Sequence, residues 1–166
     1  MTQATAPLLL VDIDGVISLF GYDPGAPPAG ALHNVEGALH FLSADAGEHL
    51  RTLAQRFELV WCSGWEEKAN EHLPLLLGLA GPLPFLTFER DVGRTHAHWK
   101  LDAIDAFAGT RPLAWIDDAL DEACVRWARE RAAPTLLVVT RPERGLGRPE
   151  VARLLAWATE RDGPTG

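Results

Sequence analysis

Short apolar runs, each halted by an acidic or small residue and followed by a helix-like pattern, recur along this chain and restrict its fold more than any other feature. Leu8-Leu9-Leu10-Val11 halts at Asp12-Ile13-Asp14-Gly15, and Phe57-Glu58-Leu59-Val60-Trp61-Cys62 halts at Ser63-Gly64. Leu113-Ala114-Trp115-Ile116 halts at Asp117-Asp118, and Phe85-Leu86-Thr87-Phe88 and Thr135–Val139 complete the set. Such runs suit strands buried on both faces, and their alternation with helices implies a β-α-β-α chain path. The expectation is an α/β fold with a mostly parallel five-stranded sheet.

The intervening segments supply the helices. Asp45-x-x-Glu48 has the capping-box pattern and opens a helix running to about Arg56, with Leu50, Leu53 and Ala54 on one face. Glu66 to Leu77 is read as helical despite Pro74, and Trp99 to Ala108 places Leu101, Ile104 and Phe107 or Ala108 on one stripe before Gly109 closes it. Asp121 to Ala132 and Pro149 to Arg161 are two more, with Pro149 suited to a first helical position. The exception is Val16 to Leu42, where Gly21, Pro24, Gly25, Pro27, Pro28 and Gly30 exclude a regular crossover helix at its start. Ala38 to Leu42 alternates like a short strand, so this segment is expected to form a small flap or hairpin over the sheet edge. One domain, 1–166, with its core over about 8–161 and the flap over about 16–42, accounts for the whole chain.

With 166 residues of which 47% are hydrophobic, the chain can bury a core without disulfides, and global disorder is excluded. A formal charge of −8 argues against a broad basic nucleic-acid face but leaves room for a small positive pocket. Cys62 and Cys124 lie in apolar stretches without Cys-x-x-Cys or Cys/His spacing, which argues against a disulfide scaffold or a zinc site built on thiols. No basic leader precedes the first apolar run, and Asp12 and Asp14 cut that run short, so neither a signal peptide nor a membrane span is expected. A cytoplasmic protein with reduced thiols is the corresponding expectation.

Ligands of open parallel sheets gather beyond the carboxyl ends of the strands. There the chain places Asp12 and Asp14, then Ser63 and Gly64, then Asp117 and Asp118, with Lys100 opening the helix before the fourth strand. Residues two apart in extended chain project to the same side, so Asp12 and Asp14 can reach one site, and Asp117 makes three converging acids. Two like unit charges ~4 Å apart repel by about 4 kcal/mol at an effective dielectric of about 20, so such a group needs a cation. All-oxygen donors select a hard ion, and Mg2+ commonly combines one or two carboxylates with substrate phosphate oxygens. Lysine is otherwise scarce: of 15 basic residues only Lys68 and Lys100 are lysines, and one of them falls here.

Asp12-x-Asp14-Gly15, Ser63, Lys100 and Asp117-Asp118, in that order, resemble the four motifs of the haloacid dehalogenase-like (HAD) hydrolase superfamily over about Leu8 to Val139. The resemblance implies a Rossmann-like three-layer α/β/α sandwich and a Mg2+-dependent phosphatase that hydrolyses a phosphate monoester through an aspartyl-phosphate. Asp12 would be the nucleophile and Asp14 the general acid and base. Asp12, the backbone carbonyl of Asp14 and Asp117 would hold Mg2+. Ser63, the Gly64 N–H and Lys100 would bind the phosphate, and Asp118 would orient Lys100 or a water beside the ion. Asp14 favours hydrolysis of an ester over dehalogenation, because a carbon–halogen bond needs no protonated leaving oxygen.

No segment is long enough for a large cap, so the site is expected to be open or minimally covered. It would take a macromolecular phosphorylated substrate, or a small one under the flap or a homo-oligomeric partner; neither nucleic acid nor a membrane is indicated as a partner. Phe20, Tyr22 and Trp65 are the candidate specificity residues. Other readings are a non-catalytic phosphate- or Mg2+-binding regulatory module, and a phosphotransferase. A phosphorylation-dependent receiver domain fits less well, since its acceptor aspartate should end the third strand, where Phe85–Phe88 offers none. His96-x-His98 has metal-ligand character but lacks a third ligand in sequence, and Arg90 and Arg94, offset by Glu89 and Asp91, read as solvated surface.

Overall fold

Strand β1 (Leu8–Val11) is buried at every position and lies inside the main sheet, paired in parallel with β5 (Glu58–Trp61) on one side and β6 (Leu113–Asp117) on the other. In this computed structural model, which describes residues 5–89 and 95–161, β7 (Thr135–Val139) adds in parallel to β6, and the order is β5-β1-β6-β7. The α/β expectation holds, with four strands in this sheet rather than five. The Phe85–Phe88 segment makes only a single parallel bridge, Phe85 to Trp61. Pro82 and Pro84 precede it and offer no N–H, and the next amide in line to extend the ladder, Phe88 N–H, donates instead to Oε1 of Glu66 across 3.0 Å.

Alternation along β1 builds two cores. Leu9 and Val11 join Leu50 and Leu53 of α1 (Ala46–Leu53), Leu73 of α2 (Lys68–Leu77) and Leu154 of α5 (Arg148–Arg161). Leu8 and Leu10 face the other way, with Ile104 of α3 (Leu101–Ala108) and Cys124 of α4 (Glu122–Glu130). Helices therefore cover both faces of a sheet whose central strands are apolar throughout. Among the described residues no helix is long and apolar enough to cross a membrane.

Several helix boundaries differ from the sequence reading for local reasons. Asp45 has helical backbone angles (φ −94°, ψ −8°) and makes no side-chain cap, because a capping carboxylate needs an extended backbone to turn back on the first turn. Helix α1 ends at Leu53, where the amides of Arg56 and Phe57 both fold back to the Leu53 carbonyl. Residues 63–67 form a turn before α2, a 3-10 turn (His98–Lys100) precedes α3, and Pro149 stands second rather than first in α5. Asp121 does cap α4, its Oδ1 accepting from Cys124 N–H across 3.1 Å.

The Gly/Pro-rich segment after β1 becomes a second, antiparallel sheet of order β2-β4-β3: β2 (Ser18–Leu19), β3 (Gly30–Val35) and β4 (Ala38–Ser43). The expected flap is this sheet. Its hairpin turns at Glu36 and Gly37, both at positive φ (52° and 87°), the signature of a tight two-residue turn matched to strand twist. The flap is tied down where Phe20 N–H donates to Pro142 C=O (3.0 Å) and Leu146 N–H to Val16 C=O (2.9 Å).

Candidate active site

In the main sheet β5, the next strand in sequence, lies on one side of β1 and β6, the one after it, on the other, so the strand order reverses beside β1, where parallel sheets place their ligand crevices. A cleft of about 900 Å3 opens there, between the carboxyl ends of β1, β5 and β6 and the flap. Asp12 follows β1, Ser63 follows β5 and Asp117 ends β6, and all three are buried.

Lys100 ties these ends together. Its ammonium is buried and donates to Asp12 Oδ1 (3.0 Å), Asp117 Oδ2 (2.6 Å) and the Cys62 carbonyl (2.8 Å). The remaining oxygen of Asp117 accepts from Ala119 N–H (2.9 Å). Burial works against the charge on Lys100, but Asp12 and Asp117 outweigh it and hold the ammonium protonated well above its ordinary range. Burial also pushes the Asp12 carboxyl well above the carboxylate range, more than Lys100 pulls it down. Asp118 is pushed up to about 6 by burial and by neighbouring Asp117. Burial raises the Cys62 thiol too, which leaves it an inert core residue.

One carboxylate oxygen from each of Asp12, Asp117 and Asp118 lies within 4.8 Å of the others. Three acids face one ammonium, and two of them are held in positions that disfavour their charge. A hard divalent cation fits this all-oxygen set and would offset the imbalance. Asp118 approaches this closely because Gly15, at φ 80°, has no side chain: a Cβ there would collide with the Asp118 carboxyl. The geometry thus puts Asp118 with Asp12 and Asp117, whereas the sequence reading gave it an orienting role.

The Asp14 side chain turns away from that group. It is half exposed, and Oδ2 accepts from the indole N–H of Trp65 across 3.0 Å. His40 of β4 stands over Asp14, with Nδ1 3.8 Å from Oδ1 and 3.0 Å from the Ser18 hydroxyl, and its ring meets Trp65 edge-on at 4.7 Å. Trp65 is set by a tight turn in which Glu66 N–H donates to the Ser63 carbonyl (3.0 Å) and Glu66 takes φ 49°. The Ser63 hydroxyl accepts from Trp65 N–H at 3.3 Å.

Asp12, Asp14, Ser63, Gly64, Lys100, Asp117 and Asp118 all line the cleft, as do Phe20 and Trp65. Tyr22 does not; it packs on Phe41, which does, with ring centroids 4.8 Å apart. Arg90, Asp91 and Arg94 lie outside the described residues. The sequence reading missed His40, Ser18 and Lys68, which reach the cleft from the flap and from α2. The alternation of Ala38 to Leu42 was the available signal for His40, since a strand there sends Ala38, His40 and Leu42 to one face.

These features define an α/β protein with a buried, lysine-centred carboxylate cluster at its topological switch point. No family model and no curated protein matches the chain.

Proposed function

We propose that this chain is a HAD-like, Mg2+-dependent phosphatase that hydrolyses a phosphate monoester through an aspartyl-phosphate on Asp12. The observation that carries the reading is the Lys100 ammonium held between Asp12 and Asp117, at 3.0 and 2.6 Å, on the floor of the cleft. A Mg2+ ion held by Asp12, Asp117 and Asp118, with the backbone carbonyl of Asp14, would supply positive charge against the phosphate oxygens.

An oxygen of the Asp12 carboxylate attacks phosphorus while the bond to the ester oxygen breaks. Asp14 delivers its proton to that oxygen, and the alcohol leaves. Asp14, now a carboxylate, takes a proton from water as the water oxygen attacks the same phosphorus. The bond from phosphorus to Asp12 breaks, and inorganic phosphate and the free carboxylate are restored. Lys100 offsets charge on the nucleophile and the transferring group throughout, and Ser63 and the Gly64 N–H take phosphate oxygens. Asp14 suits its part because it is half exposed at the mouth, where a leaving group and then a water can reach it. The flap covers the same mouth with Phe20 and His40, which favours a substrate whose leaving group is small enough to lie beneath it.

Phosphate release from a panel of esters, with Mg2+ or with EDTA, tests the reading. Metal-dependent turnover that disappears in Asp12→Asn supports it. Turnover that survives Asp12→Asn overturns the covalent mechanism, and none across small-molecule and phosphoprotein panels turns the reading to a binding module.

A further inference from the structure

The fold supplies what the His96-x-His98 pair lacks in sequence. The two rings stack with centroids 3.8 Å apart and planes 3° from parallel. The ring N–H of His98 at Nδ1 donates to Oδ2 of Asp121, 23 residues further along, across 2.6 Å. Oδ1 of Asp121 is occupied by its cap to Cys124 N–H, so Oδ2 is the oxygen turned to the histidines. Nδ1 of His96 is buried and has no hydrogen-bond partner. One donor atom from each of His96, His98 and Asp121 lies within 4.8 Å of the others. The two loops that carry them are joined through the backbone, where Ala97 N–H donates to the Ala119 carbonyl across 2.9 Å.

We propose that His96, His98 and Asp121 form a binding site for a divalent transition-metal ion of the Zn2+ type, separate from the carboxylate cluster at Asp12. Two imidazoles and one carboxylate suit zinc and its neighbours in the first transition row, whereas Mg2+ takes oxygen donors. Three protein ligands leave a coordination position open for water or an anionic group. Tetrahedral ligands at about 2.0–2.1 Å stand roughly 3.3–3.5 Å apart, so the three donors need to shift by about an ångström. The ion takes the place of the proton that His98 Nδ1 shares with Asp121 Oδ2, that proton passes to solvent on binding, and the parallel rings swing until their lone pairs converge. His96 is the ring to move, since its buried Nδ1 has no hydrogen bond to lose, and ligation removes an unsatisfied polar atom. His96 also lines the cleft, which puts the ion at its rim. The proposal stands apart from the phosphatase reading and needs no turnover to test.

The test uses untagged full-length protein cleared of metal by chelation. Zn2+ is titrated calorimetrically in excess Mg2+, and Co2+ is followed by its visible ligand-field absorption. Wild type should bind one equivalent, with an X-ray absorption edge fitted by two imidazole ligands. His96→Gln and His98→Gln should each weaken binding at least tenfold, and so should Asp121→Asn, whose amide oxygen still caps α4. His72→Gln should leave that affinity unchanged, which separates this site from the Glu36, Glu71 and His72 group on the flap and α2. His96→Gln is the discriminating variant, because a purely structural His98–Asp121 pair would not register it. Absence of stoichiometric binding, or equal affinity in His96→Gln and wild type, overturns the proposal.

Discussion

The indole N–H of Trp65 holds Oδ2 of Asp14 at 3.0 Å, joining the turn after β5 to the loop after β1 across 51 residues of sequence. Trp65 thereby fixes the side chain proposed to shuttle the proton, and His40 closes on the same carboxylate from the flap. Positioning of this kind acts on the chemical step more than on substrate affinity.

Trp65→Phe keeps an aromatic ring at this position and removes the donor, together with the smaller ring of the indole. A hydrogen bond to a charged, partly solvated group contributes about 1–2 kcal/mol, so kcat should fall roughly 5- to 30-fold. The thermal midpoint should stay near wild type, and KM should change little. An unchanged kcat in steady-state assays would show that Asp14 needs no such hold.

Lys100→Met should be the most destabilising change in the cleft. It leaves Asp12 and Asp117 buried together without their shared cation, and breaking a buried pair this way costs about 3–5 kcal/mol. Both carboxyls then favour the neutral form. A carboxyl whose folded pKa is raised loses stability as pH rises from its unfolded value toward the raised one, so the variant should regain stability on acidification. Urea unfolding at pH 7 and pH 5 measures this. A loss of equal size at both values would mean that the carboxylates do not drive it.

Much of this cleft was legible in the chain because the relevant signals are local. Asp12, Ser63 and Asp117 stand where apolar runs stop, and a run that stops in a parallel sheet stops at its ligand edge. What was not legible depends on partners distant in sequence. The Trp65–Asp14 contact, the seat of His40 over Asp14 and the arrival of Asp121 beside His98 all join different loops. The missing fifth strand had a local sign in Pro82 and Pro84, which the apolar run Phe85–Phe88 masks. The failed cap at Asp45 had none, since the pattern was intact and only the backbone angles rule it out.

Asp118 should make metal-free stability depend on pH. Its carboxyl is raised to about 6 from an unfolded value of about 3.9, so the fold favours the protonated form. The contribution of Asp118 to stability is therefore greatest below the unfolded value, declines as pH rises to about 6, and levels off above it. In EDTA, Asp118→Asn should gain on wild type across that window and hold a constant advantage beyond it, while added Mg2+ should erase the advantage by stabilising wild type alone. Denaturant midpoints from pH 4 to pH 8, with and without the ion, give the answer. An advantage that ignores both pH and Mg2+ would remove Asp118 from the cation-binding group.

The flap tip is fastened across the cleft mouth by exposed charges. Glu36, at the hairpin turn, accepts from Lys68 Nζ of α2 at 2.6 Å, with His72 Nε2 3.8 Å away. Lys68 holds the Glu36 carboxyl below its usual range, and Glu36 raises Lys68 in turn. Surface pairs of this sort add little to global stability and weaken in salt. Glu36→Gln should therefore leave the thermal midpoint near wild type yet loosen the flap, so that amide exchange across 34–41 quickens while that of β1 and β6 does not. High salt should quicken the same amides in wild type and have less effect in the variant. Equal exchange in the two proteins at low salt would mean that the backbone bonds at Phe20 and Val16, rather than the Glu36–Lys68 pair, keep the flap down.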